Sequence, residues 1–406
     1  MRTDFTPLIF ANDINAYSIA RAFHEEYGMI SDVRGKYNRG HCVGSKITRY
    51  EANEKADERE VFLAIVSEFA ARHAEKKVII IGCGDNYVRL ISENLDHLPD
   101  NVIAPYMRIE VMHQLLHKET FYALCERKGV DHPATFVYKK DTPKDFELPF
   151  EPPYMLKPSN GVQYWRHPFP TQKKVYKLDS RAELDQVLEQ IYGAGYEDSI
   201  VIQDFIPGDD SYKRTLTSYS DQQGKVRMTC LGHVLLEEHT PRGLGSDAVT
   251  VTEHNPELEN RMVQLLEDIP VVGFTNFDMK YDQRDGKYKV FEINVRQGRS
   301  NYYVTSAGEN LAKHVVEDRV DQKAFSFKAV DAESLFWVVP RKVAFDYIQG
   351  EADRALMRRL IREGKYANPL FYHADAGFVR KLRLWKGQFG YVLKYRKHLG
   401  KKRREN

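Results

Sequence analysis

The chain has 406 residues, 42% of them apolar, with 60 Lys and Arg against 58 Asp and Glu, for a net charge of +2. That length favours two or three domains, the apolar fraction is ample for real cores, and the near-neutral balance names no charged partner for the chain as a whole. No apolar run is long enough to cross a bilayer, no apolar signal segment stands at the start, and Cys42, Cys83, Cys125 and Cys230 lack any C-x-x-C spacing, so a soluble cytoplasmic protein with reduced cysteines is expected.

In chain order, PLIFAND reads as a short apolar strand and INAYSIARAFHEEYG as a helix with apolar residues at helical spacing, closed by Gly28. After a helical segment from Glu54 to His73, KVIIIGCGDNYVRLISENL repeats the alternation. Strands alternating with helices imply a parallel sheet covered on both faces, over roughly the first 100 to 120 residues. Gly82-Cys83-Gly84 is a poor dinucleotide fingerprint, because Tyr87 stands where the third glycine belongs. Ligands of such sheets bind where strands end and helices begin, which makes Asn12, Asp13, Asp85 and Asn86 candidate substrate contacts; helix N-capping is the competing reading for each.

RIEVMHQLLHKETFYALCERKGV reads as a helix. His113 and His117 lie one turn apart on it, but no Glu stands between them and no third ligand is evident, so ordinary helix-face histidines are the simpler reading. YMLKPSNG, residues 154–161, sets Lys157 at the end of an apolar strand, before a turn whose backbone amides at Ser159 to Gly161 are candidates to cradle phosphate. SIVIQDFIPG, residues 199–208, is a buried strand running into a Pro-Gly turn. Tyr212 to Tyr219 and Lys225 to Glu238 form long antiparallel strands, and Gly243 and Gly245 then permit a close backbone approach. Arg214 and Arg242 are secondary anion candidates, with surface solvation the simpler explanation. NPELENRMVQLLEDI is an amphipathic helix.

The most informative stretch is GFTNFDMKYDQRDGKYKVFEINVRQGRSN, residues 273–301. Bulky and polar residues alternate on both sides of Gln283-Arg284-Asp285-Gly286, which predicts two antiparallel strands joined by a turn. Such a hairpin brings Asp278 and Glu292 to one face, with Asn294 two residues further along. Two carboxylates and an amide oxygen make a hard site suited to Mg²⁺, and Arg296 and Arg299 beside it suggest phosphate chemistry. A solvated acidic edge is the competing reading; against it, Glu292 sits between Phe291 and Ile293, where an unpartnered ion is costly. SAGENLAKHVVEDRV follows as a helix. From Phe378 to Arg404 the chain carries basic residues and no acid, interspersed with Leu384, Trp385, Phe389, Tyr391 and Leu393. That pattern suits an anionic membrane face or a polyanionic substrate, with a merely solvated helix end the commonest and simpler reading. No nucleic-acid motif is present and no nucleic-acid partner is expected.

FEINVR resembles the metal-binding strand of the ATP-grasp superfamily: an acidic residue, a hydrophobic one, Asn, commonly Pro, then Arg, with Val295 here in place of Pro. The other motifs of that family occur in its order, with Lys118 ahead of Gly129, Pro133 and Thr135, then Lys157, the segment ending at Gln203 to Ile206, and the hairpin; no Walker-type motif competes. The resemblance implies an α/β and α+β fold: a Rossmann-like pre-ATP-grasp domain at 1–105, a two-lobed ATP-grasp domain at 106–320 with its small lobe at about 125–205, and a C-terminal extension at 321–406 with a basic helical end. It further implies that Lys118 and Lys157 contact the ATP phosphates and that the turn at Ser159 opens a covering loop. Family loops are often glycine-rich, whereas GVQYWRHPFPTQKK supplies one glycine and several aromatics. The backbone near Gln203, Phe205 and Ile206 would read the adenine edge, Asp209 or Asp210 would accept from the ribose, and Asp278, Glu292 and Asn294 would hold Mg²⁺. Arg296 would stabilise the charge that builds as a carboxylate becomes an acyl phosphate and an amine attacks it.

ANDINAYSIARAFHEEYG, IPGDDSYKRTLTSYSD and LGHVLLEEHTPRG resemble the D-aspartate ligase branch of that superfamily, bacterial enzymes that join the β-carboxylate of D-aspartate to the lysine amine of peptidoglycan precursors. Arg299 and Ser300, just past the metal strand, are assigned to the substrate α-carboxylate by position. A cytoplasmic enzyme acting on a muropeptide precursor, with peripheral contact at the inner membrane face through its basic end, is the implied setting. The alternatives are an ATP-grasp ligase of another amino acid or dipeptide, which would share every motif, and a non-catalytic nucleotide-binding scaffold, which would be expected to have lost Glu292 or Asn294.

Overall fold

The computed structural model describes residues 2–240, 243–324 and 326–400; Arg242, Lys401, Lys402, Arg403 and Arg404 lie outside them. Among the described residues the strands gather into three sheets, of five, four and eight strands.

The first sheet is built from β1 (Phe5–Phe10), α1 (Ile14–Tyr27), β2 (Ser31–Gly35), β3 (Thr48–Ala52), α2 (Arg59–Arg72), β4 (Lys77–Gly82), α3 (Asp85–Glu93) and β5 (Val102–Ile103). Its order is β3-β2-β1-β4-β5, and every pairing is parallel. β1 is buried at all positions, as a central strand covered on both faces requires. Asp13 caps α1, its carboxylate accepting from the Ala16 amide at 3.2 Å, and Gly28 ends it in the left-handed conformation at φ 65°. The strand–helix alternation read from the sequence is present.

Two helices follow, α4 (Ile109–Leu116) and α5 (Lys118–Arg127). One continuous helix was expected here, but the backbone turns extended at His117 (φ −73°, ψ 120°). The Thr120 hydroxyl donates to the carbonyls of Gln114 (2.7 Å) and His117 (3.0 Å) at this break. The break makes Lys118 the first residue of a new helix.

The four-stranded sheet comprises β6 (Thr135–Tyr138), β7 (Tyr154–Pro158), α6 (Gly161–Arg166), β8 (Tyr176–Leu178), α7 (Arg181–Gly193) and β9 (Ile200–Asp204), in the antiparallel order β6-β9-β7-β8. Its core is its own, with Leu156, Tyr164, Leu184, Ile191, Tyr196 and Ile202 among its members. Where a loop was expected after Lys157, the chain enters α6, capped by Asn160. The Tyr164 and Tyr176 hydroxyls meet at 2.8 Å, so aromatic packing orders this segment in place of glycines.

The large sheet begins with β10 (Lys213–Ser220), β11 (Val226–Glu238) and β12 (Ser246–Glu253). After α8 (Pro256–Glu267) come β13 (Gly273–Asp282) and β14 (Lys287–Asn294), then α9 (Tyr302–Ser306) and α10 (Leu311–Arg319). The helix expected across this last region starts only at Leu311. Gly308 takes φ 99°, and the Asn310 side chain accepts from the amides of Ala312 and Lys313, which fixes the start there.

The final segment runs through β15 (Lys328–Ala329), β16 (Leu335–Trp337), α11 (Arg341–Tyr347), α12 (Glu351–Arg362), β17 (Tyr366–Ala367) and α13 (Phe378–Leu399). The sheet order is β14-β13-β10-β11-β12-β16-β17, with β15 beside β11. Beyond the boundary expected at residue 320, β15, β16 and β17 thus pair within the large sheet. Strands of two or three residues carry too little alternation to be read from sequence.

Ile9 and Phe10 point to opposite faces of the first sheet. Ile9 joins a core with Phe23, Tyr303, Val315 and Phe336, and Phe10 joins one with Phe62, Phe121, Leu216 and Phe277. The first sheet and the large sheet thus share both cores, while the four-stranded lobe stands on a third. The four cysteines are buried and unpaired. Among the described residues no helix is long and apolar enough to cross a membrane.

Candidate active site

β13 and β14 pair with Asn276 opposite Asn294 and Asp278 opposite Glu292, after which a bulge shifts the register. The bulge leaves the Phe291 carbonyl off the ladder, and Lys118 Nζ (3.0 Å) and the Tyr122 hydroxyl (2.6 Å) both donate to it. Lys118 Nζ also lies 3.4 Å from Glu292 Oε2, and Lys157 Nζ lies 3.8 Å from the same oxygen. The Glu292 carboxylate is turned into a cleft, not buried between its apolar neighbours. The Lys118 charge, then that of Lys157, holds its pKa well below the ordinary range. Burial and the like charge of Lys157 lower Lys118 to about 8.

Asn294 Nδ2 donates to Asp278 Oδ2 at 3.2 Å, so all three predicted oxygen ligands gather at one rim. Asp278 is pushed up to about 7 by burial and by Glu292, against the pull of Lys213.

Lys213 went unnoticed in the sequence. Its Nζ lies 2.6 Å from Glu237, 2.9 Å from Asp247, 2.8 Å from the Gly245 carbonyl and 3.7 Å from Asp278. Strand parity was the available signal: Thr215 is the register partner of Asp278, and Lys213, two residues away, shares its face. Arg214, the residue singled out instead, points the other way to Glu253 at 2.7 Å.

Two clefts meet at this rim. One, of about 550 Å³, lies between the small lobe and the large sheet. Met155, Gln203, Phe205, Ile206 and Phe291 give it an apolar wall, Asp209 and Asp210 line it, and Lys157, Lys213, Glu237, Asp278 and Glu292 are on its wall as well. The other, of about 1280 Å³, runs from Asp85, Asn86 and Arg89 past His113 and His117 to Lys118, Lys157, Ser159, Glu292 and Asn294. Lys157 and Glu292 belong to both.

Around the clefts many polar groups are already engaged. Gln203 Nε2 donates to the Tyr122 hydroxyl (2.7 Å) and to Thr135 Oγ1 (3.0 Å). Lys280 donates to the carbonyls of Ile206 and Gly208. Asp209 accepts from Ser211, and Asp210 from the Glu237 amide and His239. The amides of Ser159 and Asn160, expected to be open to phosphate, are bonded to the Ser199 carbonyl and the Tyr196 hydroxyl, both at 3.0 Å, because β7 runs on beside the start of β9 before the turn begins. His113 and His117 pack edge to face at 5.5 Å. Among the described residues no group of three or more His, Cys, Asp and Glu is arranged to hold a metal, so this pair gains no third ligand.

Arg296 Nε meets Asp85 Oδ1 at 2.6 Å, and its Nη2 donates to Asn294 Oδ1 at 3.4 Å, tying the first sheet to the hairpin. Burial raises the Asp13 carboxyl, with Arg299 and Arg296 drawing it back. Arg299 lies 3.4 Å from Glu238. Ser300, expected at the substrate, is buried and donates to Asp247 Oδ2 at 3.0 Å.

No family model matches the chain. It is 38% identical over 407 residues to a D-aspartate ligase of Enterococcus faecium (strain Aus0004), with 97% of each chain covered. Its fold is similar to that of an L-amino acid ligase from Bacillus licheniformis (TM-score 0.51, 15% identity, 78% of this chain and 71% of that one). It is also similar to the biotin carboxylase domain of the Hydrogenobacter thermophilus 2-oxoglutarate carboxylase, solved with MgADP and bicarbonate (TM-score 0.63, 13% identity, 82% and 74%). The chain has the ATP-grasp fold and belongs to the D-aspartate ligase family of ATP-dependent carboxylate–amine ligases.

Proposed function

We propose that this chain uses ATP to activate the β-carboxylate of D-aspartate and joins it to the lysine side-chain amine of a peptidoglycan precursor in the cytoplasm. The observation that carries this reading is the convergence of Lys118 and Lys157 on Glu292, itself opposite Asp278, where the two clefts meet. A reaction between a nucleotide lying in one cleft and an amine arriving through the other needs its phosphate-handling groups at that junction.

The apolar wall at Met155, Phe205, Ile206 and Phe291 receives the adenine, whose edge is read by backbone near Gln203, and Asp209 or Asp210 accepts from the ribose. Lys118 and Lys157 exchange Glu292 for the phosphate chain, and the turn at Ser159 borders it. Asp278, Glu292 and Asn294 are hard oxygen donors gathered at one rim, Asp278 directly opposite Glu292, so they fit Mg²⁺. When bound, Mg²⁺ would neutralise the phosphoryl group in transfer.

Attack of the β-carboxylate on the γ-phosphorus releases ADP and leaves an acyl phosphate. The lysine amine then attacks the acyl carbon, loses a proton and expels phosphate. Arg296, oriented by Asp85, faces the charge that develops. Arg299 takes the α-carboxylate, with Asp13 beside it for the α-ammonium. Ser300 acts at one remove, orienting Asp247.

The test is ADP release across D- and L-amino acids with a lysine-containing muropeptide as acceptor. Release that needs D-aspartate, the acceptor and Mg²⁺ together is expected. Faster turnover with another amino acid or a dipeptide would reassign the substrate, and no release with any pair would remove the catalytic reading.

A further inference from the structure

We propose that the outward face of α13 docks on an anionic lipid bilayer. Phe378, Leu382, Trp385, Phe389 and Leu393 are each between 53% and 77% exposed. At about 100° per residue they fall within an arc of about 80°, a continuous apolar stripe along the helix. Phe371, from the preceding segment, packs edge to face on Trp385 at 5.5 Å and widens it.

The stripe cannot turn inward, because the opposite face of the helix is clamped. Gln388 donates to the Val338 carbonyl (2.8 Å), Tyr395 to the Glu237 carbonyl (2.6 Å), and Arg380 pairs with Asp375 (2.8 Å). A helix that is apolar on its core side and again on its water side is not accounted for by folding alone.

Charge identifies the occupant. Lys381 and Lys386 flank the stripe, and Lys394 and Lys397 follow; all four are exposed. None of the four has an acidic side chain within the 4.0 Å of an ion pair among the described residues, and α13 itself contains no Asp or Glu. A two-fold contact with a second copy through this face would set these cations against each other. An anionic bilayer surface satisfies both features: the aromatic and aliphatic side chains enter the headgroup boundary and the lysines meet lipid phosphates. This inference does not depend on the identity of the ligase's substrates.

The experiment is flotation of the full chain with vesicles of phosphatidylcholine alone or mixed with phosphatidylglycerol. Binding to the anionic vesicles should be about tenfold stronger or more, and should weaken with added salt. Trp385→Ser combined with Phe389→Ser, and separately Lys381→Glu combined with Lys386→Glu, should each reduce binding about tenfold, with circular dichroism unchanged. Equal or no binding to the two vesicle types, or variants that bind like the parent, would overturn the proposal. So would a dimer in solution that the Trp385→Ser, Phe389→Ser variant dissolves, since it would assign the face to a second copy.

Discussion

Lys213 Nζ stands 2.9 Å from Asp247 Oδ1, and the same carboxylate's second oxygen accepts from Ser300 at 3.0 Å. Burial opposes the Lys213 charge, but Asp247, Glu237 and Asp278 together overcome it and hold its pKa above the ordinary lysine range. Removing one partner of a buried charge cluster leaves the others uncompensated. Lys213→Met should therefore cost about 3 kcal/mol or more by urea unfolding, with part recovered on adding Asp247→Asn. A loss below about 1 kcal/mol would mean that the cluster is solvated like a surface pair.

Glu292 lies within 4 Å of two lysines and directly opposite Asp278. Glu292→Gln keeps the shape and removes the charge. ADP release should fall by about two to three orders of magnitude, and adding a chelator to the parent enzyme should have a similar effect. Unfolding by urea should change little, because the carboxylate faces the cleft. Retained turnover in Glu292→Gln would remove Glu292 from the proposed metal site.

The hairpin was legible because it carries two independent patterns, alternation on both strands and an acidic-Asn-Arg phrase. Lys118 and Lys157 were found through motif order, which says nothing of their meeting at one oxygen. Lys213, Glu237 and Asp247 come from three different strands, and only the β10–β11 and β11–β12 registers bring them together. The break at His117 depends on hydrogen bonds of the Thr120 side chain, which no periodicity records. In α13 the basic composition was visible, but which apolar residues face the core and which face water was set by its contacts with Glu237 and Val338.

His233 shows a pH dependence with a defined sign. Burial, then the Arg214 charge, lowers its pKa to about 4, and its Nε2 lies 2.7 Å from the Ser211 carbonyl. The folded chain thus refuses a proton that the unfolded chain accepts near pH 6.5. Stability should be lost as pH falls from about 6.5 to about 4 and be flat below, by about 3 kcal/mol from this group. His233→Gln should flatten that part of the slope in urea melts taken across the window; an unchanged slope would place the effect elsewhere.

The four-stranded lobe has its own core, whereas the first sheet and the large sheet share two. It meets the large sheet across the cleft of about 550 Å³, where Lys157 and Glu292 approach only to 3.8 Å, and Lys280 on β13 holds the turn at Ile206 and Gly208. A unit with an independent core can move as a body about such a turn, and closing it shields an acyl phosphate from water. Amide exchange across residues 135–204 should slow when ATP and Mg²⁺ are added, most of all in α6 and the segment after it. The strands β1 and β4, at the centre of the shared cores, should not respond. Slowing spread evenly over the chain would instead indicate global stabilisation by the ligand, with no closure of the lobe.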